Sequence, residues 1–179
     1  MSTALQKLLG DMPLTDFFRD HLHTQPLSGS GVGDEFRASG SWETLSRLVS
    51  LSGADVMVVR QGERYAGQAP TDQEELQRLV KQGYTVLLRH AEQHEANLRT
   101  IADQFAGDFQ APVNIHFYAT PPGEWGFPWH YDAEEVFILQ TAGRKEYSLR
   151  KNTVNPWPVE EAMPADMQYE REIMPLMRV

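Results

Sequence analysis

Residues 112–150 read PVNIHFYATPPGEWGFPWHYDAEEVFILQTAGRKEYSLR, and the middle of this stretch is His130-Tyr131-Asp132. On an extended chain, residues i and i+2 project to the same side. The imidazole of His130 and the carboxylate of Asp132 can then reach one point. Imidazole nitrogen plus carboxylate oxygen suits a divalent metal, and two histidines with one carboxylate make the open-sided set of non-haem Fe(II) oxygenases. An isolated His-x-Asp is a weak signal, because a turn closed by a capping aspartate gives the same letters. Its neighbours decide the reading.

Before the motif, Asn114, His116, Tyr118 and Thr120 alternate with Ile115, Phe117 and Ala119. This period of two predicts a strand with one polar and one apolar face. The polar face belongs either to a wet edge or to the wall of a site. After the motif, residues 136–139 (VFIL) are apolar on both faces, as in a strand covered on both sides. Gly143-Arg144 is a predicted hairpin turn. On the returning strand, Lys145, Tyr147 and Leu149 share one face, while Glu146, Ser148 and Arg150 share the other. An ammonium on the apolar side needs an anion. Either an anionic ligand near His130 and Asp132 supplies it, or Lys145 sits at the strand mouth and extends to water.

The ordered cluster Tyr118, Thr120, Pro121, Pro122, Gly123, Gly126, Phe127, His130, Asp132, Phe137, Leu139, Gln140, Gly143, Arg144, Lys145 and Tyr147 resembles the core of the JmjC-type cupins. The resemblance is to the bacterial cupin-4 branch, related to ribosomal oxygenases. It extends loosely back to residues 13–27. It implies an α+β fold: an N-terminal helical and αβ flank over residues 1–110, then the first part of a double-stranded β-helix over residues 111–179. It implies an Fe(II)- and 2-oxoglutarate-dependent oxygenase that hydroxylates a protein or peptide side chain, such as one on a ribosomal protein. His130 and Asp132 would be metal ligands. Lys145 would pair with the far carboxylate of 2-oxoglutarate, and Tyr118 and Thr120 would line the co-substrate pocket. Where the family has an asparagine on the first strand, this chain has His116, with Asn114 displaced. The family's third ligand is a later histidine, and no histidine follows His130. The expectation is therefore a barrel that stops short of closure. The competing reading is a non-catalytic cupin-like module whose open sheet edges favour a homodimer.

Length and composition agree with a packed domain: 179 residues, 41% hydrophobic and 23% charged. The net charge of −9 argues against a nucleic-acid or anionic-membrane surface and leaves room for a basic partner. With no cysteine there is no disulfide framework or zinc–thiolate site. No apolar run approaches a membrane span and no secretory leader is evident, so a cytoplasmic location is the expectation.

Elsewhere, apolar spacing predicts helices over 3–9, 14–22, 43–49 after an N-capping Ser41, 72–81 and 93–105. Thr71 and Glu74 are read as a capping box, and Gly107 as the end of the last helix. Strands are expected over 56–60, followed by a Gln61-Gly62 turn, and over 84–88. His90 and His94 have the spacing of one helical face, with no third donor nearby, so they are read as a solvated pair; His21 and His23 are read as surface residues. Residues 28–33 form a Gly/Ser segment without phosphate-loop spacing. Beyond Arg150 come an extended loop over 151–158, a helical turn over 158–163 and a strand over 168–173.

Overall fold

The computed structural model describes residues 2–31, 36–128, 130, 132 and 134–149, and the backbone of 177–178. The elements expected over 151–158, 158–163 and 168–173 lie outside the described residues.

Two short helices open the chain, α1 (Ala4–Leu9) and α2 (Leu14–Asp20). Helix α3 (Trp42–Val49) follows, and the Ser41 hydroxyl accepts from the Thr44 N–H as an N-cap should. Strand β1 (Asp55–Arg60) turns through Gln61 and Gly62 into β2 (Glu63–Arg64). Both turn residues have positive φ, 52° and 84°, the conformation a two-residue hairpin requires. Helix α4 (Gln73–Lys81), strand β3 (Thr85–Arg89), helix α5 (Ala96–Phe109) and strand β4 (Phe117–Ala119) complete the first unit. A short ladder joins β5 (Ser148–Leu149) to β6 (Met177–Arg178).

The main sheet is antiparallel, in the order β2-β1-β3-β4. Register puts Val58 beside Val86, and Leu88 between Val56 and Phe117. That face packs on Leu45, Leu48 and Val49 of α3, Leu76 and Leu79 of α4, and Leu98 of α5. Each such buried aliphatic side chain contributes roughly 1.5–3 kcal/mol. A second cluster joins Leu5, Phe17, Phe36 and Phe105, and Phe137 and Leu139 lean on it. The opposite sheet face, with Leu87 opposite Tyr118, is the one turned toward the motif.

Several expectations are corrected. The capping box sits one residue later: Asp72 is the N-cap and accepts from the Glu75 N–H at 2.9 Å, while the Glu75 carboxylate accepts from the Thr71 N–H at 3.0 Å. Helix α5 runs through Gly107 and ends at Gln110, whose φ of 53° breaks the helical path. A side chain at Gly107 would meet only open space, so nothing there forces a stop. His90 and His94 flank a single 3₁₀ turn (Ala91–Gln93), and His90 is left-handed at φ 55°. They do not share a helical face.

Residues 136–139 do not form the doubly covered strand that their apolarity suggested. Phe137 and Leu139 pack inward, whereas Val136 and Ile138 are 59% and 52% exposed. A strand exists only where a neighbour takes its backbone hydrogen bonds, and among the described residues none does so here. For the same reason, among the described residues the returning strand is confined to Ser148–Leu149.

Candidate metal and co-substrate site

The site begins where β4 ends. Thr120 is tied to β3 by a 3.1 Å hydroxyl–hydroxyl hydrogen bond with Thr85. The chain then reverses at Pro121–Gly123, where Gly123 has φ 76° and the Glu124 N–H reaches back to the Pro121 carbonyl. The returning loop lies along the β1–β2 turn: Gln61 N–H donates to the Trp125 carbonyl at 3.0 Å and Gly62 N–H to the Gly126 carbonyl at 2.7 Å. Gly126 presses so closely on Thr85 that a Cβ would stand 3.0 Å from its Oγ1.

This path delivers His130 with a defined tautomer. Its Nδ1 is 2.7 Å from the Pro128 carbonyl oxygen, which can only accept, so Nδ1 carries the proton. In the neutral ring the lone pair is then on Nε2. That nitrogen is 3.9 Å from Asp132 Oδ2. A cation bonds such donors at about 2.1 Å each, so one ion can touch both, and cis positions of an octahedron would close the gap to about 3.0 Å. A histidine whose second nitrogen donates to a carbonyl is the usual metal-ligand arrangement. The donor set and its tautomer therefore fit a divalent cation as two ligands. Among the described residues, no group of three His, Asp, Glu or Cys side chains is close enough to hold a metal.

Tyr118 connects this pair to Lys145. The Tyr118 ring is 6.1 Å from Phe127, which is 5.8 Å from His130. Burial, with the nearby charges of Asp132 and Glu134, raises the Tyr118 phenol above its usual range. Lys145 Nζ lies 5.8 Å from the Tyr118 ring and 5.2 Å from the Tyr147 ring. Lys145 as a residue is open to solvent, but its ammonium end is partly desolvated between those rings, and this lowers its pKa. Among the described residues no carboxylate forms an ion pair with it. His130, Asp132, Tyr118 and Lys145 thus belong to one neighbourhood. Thr120 is held to Thr85 at its rim.

His116 is placed differently. Its ring meets the edge of His90 at 5.4 Å, and its Nε2 is buried without a hydrogen-bond partner among the described residues. Burial first, then His90, lowers its pKa. Beside it, Arg89 donates to Asp55 at 2.8 Å and holds that carboxyl below its usual range. His21 stacks on Phe17, and His23 contacts Glu135 at 2.7 Å, tying the end of α2 to the segment after the motif. Local sequence patterns reveal neither this link nor the ion pair of Arg60 with Glu124 at 2.8 Å, because the partners are far apart along the chain.

A model of the JmjC domain family matches residues 87–175, about half of the chain. The chain is a JmjC-domain protein. Its helices and antiparallel sheet are those of an α+β domain with the cupin jelly-roll fold of that family. The chain is 38% identical over 71 residues to the bifunctional lysine-specific demethylase and histidyl-hydroxylase NO66 of Dictyostelium discoideum, covering 40% of this chain and 14% of that protein. It is 37% identical over 70 residues to ribosomal oxygenase 2 of Rattus norvegicus, covering 39% and 15%. A longer match, 24% over 163 residues, joins 82% of the chain to 23% of NO66 from Drosophila persimilis. The chain therefore spans less than a quarter of each of these relatives. Among the described residues, no helix is long and apolar enough to cross a membrane.

Proposed function

We propose that this JmjC domain belongs to an Fe(II)- and 2-oxoglutarate-dependent hydroxylase acting on a protein or peptide side chain, with a ribosomal protein as the favoured substrate class. One observation carries the reading: the Tyr118 ring lies 5.8 Å from the Lys145 ammonium and 6.1 Å from the ring of Phe127, which is 5.8 Å from His130. His130 Nε2 and Asp132 would hold the iron, and the Nδ1–H bond to Pro128 orients that imidazole so that Nε2 faces away from the loop carbonyl. Lys145 would bind the far carboxylate of 2-oxoglutarate, which would repay the desolvation of its ammonium. Tyr118, with Thr120 behind it, would bound the co-substrate. Bound iron and 2-oxoglutarate would supply the oxidising chemistry for a C–H bond, and the protein would supply position and exclude water. Relatives named as a histidyl-hydroxylase and a ribosomal oxygenase support a protein substrate.

Mn(II) binding, read by paramagnetic relaxation, tests this without oxidation. Binding should tighten with 2-oxoglutarate and be lost in His130→Ala. Lys145→Ala should retain the metal and weaken 2-oxoglutarate roughly 10- to 100-fold, as expected for a hydrogen bond to a charged group. Absence of Mn(II) binding by the 179-residue chain would overturn the proposal for this chain and favour the non-catalytic module.

A further inference from the structure

The loop that leads into His130 has a support that the metal reading does not account for. Glu124 accepts from two neighbours on the β1–β2 turn: Arg60 Nη2 donates to Oε1 at 2.8 Å, and Gln61 Nε2 donates to Oε2 at 3.3 Å. Arg60 also donates from Nη1 to the Gln82 carbonyl at 3.2 Å, so the guanidinium bridges the end of α4 and the loop. The next residue is Gly83, at φ 93°. A Cβ there would stand 2.9 Å from Arg60 Cζ and 3.0 Å from Glu124 Oε1. A side chain there would be strained by that φ and would push the ends of Arg60 and Glu124 from their present positions. The two main-chain hydrogen bonds from Gln61 and Gly62 to Trp125 and Gly126 run directly beside it.

The contacts continue toward the imidazole. Gly62 backs Pro128, since a Cβ on Gly62 would lie 3.4 Å from Pro128 Cδ. The Pro128 carbonyl then takes the His130 Nδ1 proton bond at 2.7 Å. An exposed ion pair alone carries little energy. This one is part of a set of side-chain and main-chain bonds, and that set fixes where a loop without ladder partners can lie.

We propose that Arg60 and Glu124, accommodated by Gly83, are positioning residues that hold the loop over 124–128 in register and so aim His130 Nε2 at the cation. The proposal rests on reading His130 and Asp132 as a metal pair.

The test compares Mn(II) affinity in the full chain for wild type, Glu124→Gln, and the exchanged pair Arg60→Glu with Glu124→Arg. The second readout is the ¹⁵N spectrum of the His130 imidazole, which reports its tautomer whether or not metal binds. Glu124→Gln keeps side-chain volume, so its thermal midpoint should stay near that of wild type. It should bind Mn(II) about tenfold more weakly and lose the single-tautomer signature, and the exchanged pair should recover only part of each, because a carboxylate at position 60 cannot donate to the Gln82 carbonyl and a guanidinium at position 124 cannot accept from Gln61. Wild-type affinity and an unchanged His130 spectrum in Glu124→Gln would overturn the brace. If wild type itself binds no Mn(II), the metal reading fails, and the brace is then judged by the spectrum: loss of the tautomer in Glu124→Gln supports it and retention refutes it.

Discussion

Strand β3 and the segment over 134–147 are both rich in apolar residues, yet they end in different states. In β3, Thr85 through Leu88 are buried, and partners on both sides take the backbone hydrogen bonds. In the later segment, Phe137 and Leu139 reach a core while Val136 and Ile138 face solvent. Hydrophobicity by itself places side chains, whereas a strand also requires a neighbour with free backbone groups in register. The region that carries the candidate site is accordingly held by discrete contacts: Thr85 with Thr120, Glu124 with the β1–β2 turn, His23 with Glu135 and Thr141 with Gly40.

The largest effect that sharpens this contrast is in the core. Leu88→Ala removes a side chain with no solvent exposure at the centre of the sheet and should cost about 2–5 kcal/mol. Ile138→Ala removes a similar side chain that is 52% exposed and should change stability by less than about 0.5 kcal/mol. Urea unfolding of the two variants measures the difference. Equal losses would mean that the later segment is packed as tightly as β3, and the contrast would fail.

A smaller effect tests a local rule within the well-packed region. Asp72→Ala deletes the N-cap of α4 and should cost about 1 kcal/mol. Thr71→Ala keeps the main-chain bond to Glu75 and should cost less, which separates the observed cap from the one expected a residue earlier. The comparison is read from thermal midpoints.

The smallest effect lies at the boundary of the two regions, where Arg89 holds the Asp55 carboxyl below its usual range. Both side chains are substantially exposed, so the pair is worth a few tenths to about 1 kcal/mol. The folded protein keeps Asp55 charged to lower pH than the unfolded chain does. In that interval the unfolded chain binds more protons, and stability falls as pH falls. Asp55→Asn should therefore be less stable than wild type near neutral pH. The gap should close as pH drops below the ordinary carboxylate value of about 4 and through the depressed one. Urea midpoints across an acid series would reveal a gap that persists, which would assign the loss to packing rather than charge.

Much of this was legible in the residues themselves. The alternation at 114–120 gave the right faces: Ile115, Phe117 and Ala119 pack on the core and Tyr118 stands 51% exposed on the other side. Ser41, the Gln61-Gly62 turn and the helices over α1 to α4 followed from capping and periodicity, because those forces act within a few residues. The grouping of His130 with Asp132 followed from spacing. Other features depend on contacts between distant residues, and sequence spacing could not supply them: the extension of α5 past Gly107, the separation of His90 from His94 with the pairing of His90 and His116, and the exposure of Val136.

The sequence by itself determined the helices and the alternating faces of the sheet, and it named the residues proposed to bind metal and a dicarboxylate. Their causes are local: propensity, caps, and the side-chain periods of helix and strand. Only the tertiary structure decided how those residues are presented. The tautomer of His130 depends on where the Pro128 carbonyl lies, and the Lys145 ammonium is desolvated because the rings of Tyr118 and Tyr147 flank it. The loop before the motif takes its course from Arg60, which lies 64 residues from Glu124. Interactions at that separation exist only once the chain has closed on itself, so no reading of neighbouring letters contains them.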